Sequence, residues 1–292
     1  MDKKRNLYIA IFLMPAIIIF VIIYLIPVYN VITTSFLEWN LFVGDKTFIG
    51  LDNYINAFTN DSLFMASLKN TLIWVVLQGT FHVGLGTMVA LFLADKPKMW
   101  KFMRVSYMLP NMISGAAFAI ILLNIYNPEI GLINQFISFL GVENFQQNWF
   151  FDTSTAFFAV TMTWLPYAGL VAILVLAEIM SIPTSLYEAA AIAGATKFQQ
   201  KLYVTLPLLK NIIGTCVLIS ATSMLKEFEH IYLTTNGGPG STTLSLPLYL
   251  YKTALIENNY AYANTMGTIL VIIGFLIIFV INKLFVLGHS DR

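Results

Sequence analysis

The chain has 292 residues, of which 58% are hydrophobic and 11% charged, with a formal net charge of +1. Its mean hydropathy is +0.76. Soluble domains carry about 25% charged residues, so the composition excludes a soluble enzyme. Near-neutral charge with no basic block leaves no footprint for nucleic acid, and the single cysteine, Cys216, excludes a disulfide scaffold.

The charged residues leave five long uncharged intervals: Arg5 to Glu38, Lys69 to Asp95, Arg104 to Glu129, Asp152 to Glu178, and Glu257 to Lys283. Each exceeds the about 20 apolar residues that cross a hydrocarbon core. A sixth, Lys210 to Lys226, is shorter. It spans if Lys210 snorkels to one face and Lys226 and Glu227 sit at the other. The expected fold is therefore an all-α polytopic membrane protein, one domain over 1–292. Its six transmembrane helices are placed at about 7–30, 69–94, 104–127, 154–178, 205–228 and 261–286. Lys3, Lys4 and Arg5 resemble the basic start of a signal peptide. The apolar run after them is too long for one and no small-x-small site follows, so it reads as a retained span. With both termini on the cytoplasmic side, twelve of the sixteen Lys and Arg residues fall on inner segments, as the positive-inside rule requires.

Catalytic chemistry is absent from the pattern. There is no G-x-x-x-x-G-K-[ST] phosphate loop, no H-E-x-x-H and no cysteine pair. No catalytic residue, metal site or cofactor is expected in this chain. His82, His230 and His289 are scattered; His82, inside the second span, reads as a neutral imidazole bonded to a neighbouring helix, and Cys216 as a packing residue. The first four spans and the last hold no mid-span carboxylate. That argues against autonomous proton-driven transport, so the energy must come from a partner.

The inner segment 183–207 differs in kind from the other loops. Glu188 to Ala193 is a strong helix former, started by Pro183, Thr184 and Ser185, with Glu188 placed early where the helix dipole favours an acid. Gly194 ends that helix, Thr196 caps a second short one, and Pro207 marks the return to the membrane. From physics alone this is equally an ordinary interfacial connector. In the fourth span Trp164, Pro166 and Tyr167 break the helix. The fifth offers Ser220, Thr222, Ser223, Met224 and Glu227. The serines and threonine read either as glue between helices or as a polar path, and Lys226 is placed to neutralise Glu227.

The string Glu188-Ala189-Ala190, followed by Gly194-Ala195 and then Leu206-Pro207, resembles the E-A-A loop of binding-protein-dependent ABC importer permeases. Ala193 stands where that family often has Asp, so no contact of that acid carries over. Further likenesses run along the chain: Gly50-Leu51-Asp52-Asn53-Tyr54, Leu109-Pro110 with Ile113-Ser114, Gly131-Leu132-Ile133-Asn134, and Thr235-Asn236-Gly237-Gly238-Pro239. They are similar to the sugar permeases of maltose, lactose and glycerol-phosphate type, and among these to the first of two non-identical permeases.

The resemblance implies a type I importer fold and uptake of a mono- or oligosaccharide across a bacterial plasma membrane. The implied partners are a second, non-identical permease, two cytoplasmic ATPase subunits that bind ATP and Mg, an extracytoplasmic sugar-binding protein and the lipid bilayer. It implies that Glu188, Ala189, Ala190, Gly194, Ala195 and Pro207 belong to the loop that couples to the ATPase. Glu188 would meet a basic ATPase residue, against the plainer reading of a solvated helix-start acid. It also implies that Trp164, Tyr167, Ser220, Ser223, Met224 and Glu227 line the substrate path. Met224 and Glu227 replace family asparagines, so the cargo need not be maltose. The same machinery carrying glycerol phosphate or a polyamine is the alternative.

Overall fold

The computed structural model describes residues 2–39, 44, 46–142 and 145–285, with side chains from Tyr8 onward. The chain, read above as one domain, divides into two compact units. One comprises 1–62 and 250–271; the other comprises 63–249 and 272–292.

In the first unit the helix α1 (Tyr8–Thr34) is apolar all round, and none of its most apolar stretch is buried within the chain. A helix without a polar face belongs in lipid or against another apolar partner. After it, β1 (Leu37–Trp39) and β2 (Lys46–Phe48) pair antiparallel, with Leu37 opposite Phe48 and Trp39 opposite Lys46. The Lys46 ammonium lies 3.9 Å from the centre of the Trp39 ring, a cation–π contact. The G-L-D-N-Y motif explains the next turn. Gly50 takes φ +63°, which favours glycine. Asn53, in α2 (Asp52–Thr59), donates its amide to the carbonyls of Ser35 at 3.0 Å and Leu37 at 2.8 Å. The Tyr54 hydroxyl bonds the Ser35 hydroxyl at 2.7 Å. The motif thus ties the turn to the end of α1.

The second unit holds most of the spans. The helix α3 (Ser62–Ala94) contains a π-helical turn at Gln78–His82. Then come α4 (Trp100–Met112), α5 (Gly115–Ile125), α6 (Leu132–Phe139) and α7 (Ala156–Ser181), the last with a 3₁₀ turn at Leu165–Tyr167. They are followed by α8 (Thr184–Ile192), α9 (Lys197–Leu208), α10 (Lys210–Ser223) and α11 (Glu229–Thr234), while α12 (Leu246–Leu255) and α13 (Tyr260–Phe285) each belong in part to the first unit and in part to the second. The core of α3, α7 and α10 is built on Val83, Ala90, Leu93, Val171, Val175, Leu176, Leu209 and Cys216. Cys216 is fully buried, as expected of a packing residue. Small residues set the approach: a Cβ on Gly86 would lie 2.6 Å from the Cβ of Val171, and one on Gly169 would lie 1.8 Å from the Tyr107 carbonyl oxygen.

Among the described residues four helices, α1, α3, α7 and α13, are long and apolar enough to cross a membrane, and two bent pairs bring the number to six if each pair is one span. Helix α13 follows the expected last span to Phe285; residue 286 and His289 lie outside the described residues.

Two expected spans are corrected. The one at 104–127 is not one helix: α4 and α5 meet at 106°. Pro110 contributes no N–H, Ile113 and Ser114 are extended, and Ser114 caps the new helix by accepting from the Ala117 N–H at 3.3 Å. The one at 205–228 is also not one helix. It begins in α9, bends by 65° into α10 and stops at Ser223, so 224–228 are not helical.

Candidate functional site

The helix breaks converge. A cavity of about 300 Å³ opens where the π turn of α3, the α4–α5 bend, the 3₁₀ turn of α7 and the end of α10 come together. All six residues expected along the path, Trp164, Tyr167, Ser220, Ser223, Met224 and Glu227, line it. Each break has a geometric consequence. The π turn adds one residue to a helical turn, an arrangement frequent at functional sites, and brings Gln78 and His82 to the wall. Pro166 tightens α7 just after Trp164, and Tyr167 follows on the same wall. The indole of Trp164 is held edge-on by Trp74 at 5.1 Å, and Trp74 itself stacks on Phe157 at 4.8 Å and donates to the Thr161 hydroxyl at 2.9 Å.

The polar groups of the wall are unevenly satisfied. Ser223 donates back to the Ser220 carbonyl at 2.7 Å, which is intrahelical bonding. The Glu227 carboxylate accepts the His230 N–H at 3.2 Å, capping the start of α11. Lys226 is exposed, and among the described residues no close ion pair joins it to Glu227, so its charge acts on that carboxyl only across a distance. Glu229 lies against the start of α5, its carboxylate 3.2 Å from where a Cβ on Gly115 would stand. Seven buried side-chain polar atoms lack a hydrogen-bond partner among the described residues. Five of them belong to this wall: both ring nitrogens of His82, Asn111 Nδ2, Trp164 Nε1 and His230 Nε2. Buried polar groups are normally paired with protein or water, so this concentration leaves donors and acceptors of the wall open to water or a polar ligand. The reading of His82 as bonded to a neighbouring helix holds in looser form: the Tyr167 backbone of α7 faces its ring, outside strict hydrogen-bond geometry. His230 packs edge-on to Tyr167 at 6.1 Å, and its burial pushes the imidazole down to about 4, so it is neutral.

The sequence did not point to Gln78, Asn111, Glu229 or His230. Gln78 and Asn111 are polar residues inside uncharged intervals, and that was the available signal.

The segment 183–207 forms a second feature. Its helix α8 ends in a Schellman motif: Gly194 takes φ +82°, Ala195 donates to the Ala190 carbonyl and Gly194 to that of Ala191, both at 2.9 Å. Thr196 and Gln199 then form a reciprocal capping box for α9, with Thr196 N–H to Gln199 Oε1 at 2.8 Å and Gln199 N–H to Thr196 Oγ1 at 3.3 Å. Glu188 is exposed, but it falls in the second turn of α8 rather than the first. The helix begins at Thr184, where Pro183, Thr184 and Ser185 put its start, so Glu188 lies beyond the turn in which the dipole acts and the dipole argument for it does not hold. Pro207 lies in the last turn of α9, just before the bend. The segment is fastened beneath. Tyr187 bonds the Thr205 hydroxyl at 3.0 Å, and Lys201 pairs with Asp95 and donates to the Leu91 carbonyl at 3.1 Å at the end of α3. Its outer face is apolar beyond the alanines, with Ile192 90%, Phe198 73% and Tyr203 71% exposed.

Comparison with known proteins gives one consistent result. The family model described as "Binding-protein-dependent transport system inner membrane component" matches residues 82–288. The chain is 34% identical over the full length of both proteins to a probable ABC transporter permease, YurN, of Bacillus subtilis. It is 29% identical to the diacetylchitobiose uptake system permease NgcF of Streptomyces coelicolor, over 91% of this chain and 79% of that one. A bacterial ABC transporter crystal structure, involved in import of the acidic polysaccharide alginate, shares the fold. Its TM-score is 0.84 at 24% identity, covering 100% of this chain and 98% of that one.

Proposed function

The chain belongs to the family of binding-protein-dependent transport system inner membrane components, and from that premise we propose that it is the permease subunit through which an ABC importer takes up a sugar. In this reading six spans cross the plasma membrane of a bacterium, each bent pair counting as one, with both termini and the 183–207 helix pair cytoplasmic. A solute-binding protein delivers the sugar from outside, a second permease completes the path, and two ATPase subunits supply the energy.

The observation that carries the reading is the convergence of helix breaks, aromatic faces and unpartnered polar atoms on one cavity. A saccharide combines apolar ring faces with hydroxyls that donate and accept, and Trp164 and Tyr167 beside Asn111, Ser220 and Glu227 match both properties. The diacetylchitobiose relative supports a sugar over glycerol phosphate, and the wall has no Lys or Arg for a phosphate.

The 183–207 helix pair supports the coupling role. It is a short rigid element, fastened to the end of α3 by Lys201 and presenting Glu188 beside an exposed apolar face. Docked in an ATPase cleft, such an element transmits closure to the spans above it. The test is ATP hydrolysis by the complete complex in liposomes. Stimulation by binding protein together with a sugar is expected; stimulation by no saccharide sinks the cargo assignment.

A further inference from the structure

The wall of the cavity holds two carboxyl groups, Glu227 and Glu229, and no cationic side chain. Lys226, adjacent in sequence, is exposed and does not line it. Its remaining unpartnered polar atoms, on Asn111, Trp164, His82 and His230, belong to neutral groups. We propose that this cavity is a charge-selective saccharide subsite, taking sugars that carry hydroxyls or amines and rejecting those that carry a carboxylate.

The inference rests on the sugar-permease reading and narrows it. A hydroxyl array donates to the carboxyl groups while accepting from Trp164 Nε1 and Asn111 Nδ2, so it uses both halves of the wall. A protonated amine donates only, and it pairs with Glu227 or Glu229. A uronate carboxylate accepts only. It offers no donor to the two acids and brings a third negative group beside Glu227, which is half-buried, and Glu229, which is exposed, and nearby like charges oppose one another's ionised form. Discrimination by an unpaired like charge is stronger than discrimination by a missing contact. Glu229 reaches the wall beside Gly115, whose lack of a side chain leaves room for its carboxylate.

The test uses the permease–ATPase complex in nanodiscs without binding protein, so that only the transmembrane path selects. Binding of three probes is read by saturation-transfer NMR: a β-linked glucose disaccharide, its glucosamine counterpart and its glucuronate counterpart. The amine-bearing probe should bind at least about tenfold tighter than the uronate, with the neutral one between. In Glu227→Gln and Glu229→Gln, each first shown to assemble as a monodisperse complex, the amine-to-uronate ratio should fall severalfold towards one. A uronate that binds wild type as well as the neutral probe overturns the charge selectivity and leaves the sugar reading standing. Binding of spermidine with no binding of any disaccharide overturns the sugar reading and leaves the acidic wall standing. No binding by any probe overturns both.

Discussion

The helix pair at 183–207 and the cavity are built in opposite ways. The pair is local. Its turn is closed by Gly194, Ala195 and Thr196 bonding residues no more than five positions away. The cavity has no local origin, since its wall draws on Gln78, Asn111, Trp164, Ser220 and Glu229, which lie on five different elements. A feature made of neighbours leaves its geometry in the order of the residues; a feature made of distant elements leaves only a change of composition at each contributing point. Substitutions should therefore act most sharply at the exposed docking face and turn of the helix pair, and by degrees in the cavity.

The largest effect is expected at Glu188. Reversing its charge in Glu188→Lys places a cation where the ATPase is expected to present one, and a misplaced like charge at an interface costs several kcal/mol. Uptake should fall roughly 100-fold while the complex still reaches the membrane. The measurement is sugar accumulated per ATP hydrolysed in proteoliposomes, and an unchanged ratio would remove the coupling role. Gly194→Val belongs to the same class. It forces a β-branched residue to φ +82°, costing about 1–2 kcal/mol, and should uncouple by re-aiming α8 rather than by removing a contact.

A tenfold loss is expected one step inward. Lys201 ties the helix pair to the end of α3 through Asp95 and the Leu91 carbonyl, and α3 carries the π turn that supplies Gln78 and His82 to the cavity. Networks of this kind carry about 0.5–2 kcal/mol of coupling. Lys201→Ala should let the ATPase subunits co-purify normally while sugar-stimulated hydrolysis drops about tenfold. Loss of co-purification would instead make Lys201 part of the docking surface.

These two regions also show what could be read from the sequence. The coupling segment was legible because Gly194 and Thr196 have one main conformational use each in that setting. Its start was legible too, since Pro183, Thr184 and Ser185 open the helix; only Glu188 was placed too near that start. That the six residues would share one wall came from the resemblance, and physics added the break at Pro166. The bend at Ile113–Ser114 was not legible, because an uncharged interval of span length hides a break inside it. Composition sets how far a segment can reach, while Pro110, Ser114 and Gly115 decide whether it runs straight. The π turn at Gln78–His82 carries no proline at all, so nothing in that stretch announces it.

In the cavity the expected effects are graded. Trp164 is buried, its ring fixed by Trp74 and its Nε1 without a partner. Trp164→Phe keeps an aromatic ring and removes the N–H. One hydrogen bond to a neutral group is worth about 0.5–1.5 kcal/mol, so sugar affinity should weaken about 3- to 10-fold. The melting temperature should stay close to wild type, because no protein–protein hydrogen bond is lost. A large drop in melting temperature with unchanged affinity would make Trp164 a packing residue only.

The smallest effect sharpens the contrast most. Thr196→Ala deletes one half of the capping box and should cost about 1 kcal/mol of local stability, with uptake retained. Because the segment is closed by its own neighbours, the loss should be confined to it. Hydrogen exchange should quicken at the amides of Lys197 to Gln200, which open α9, and remain unchanged in α3 and α7. Exchange spreading into α3 would mean that the fastening through Lys201 carries strain both ways, and that the helix pair is less self-contained than its hydrogen bonds indicate. Local confinement would instead mean that the segment moves as one body. The proposed coupling role needs that property, because a segment that frays at its cap would dissipate the displacement of an ATPase before it reached Asp95.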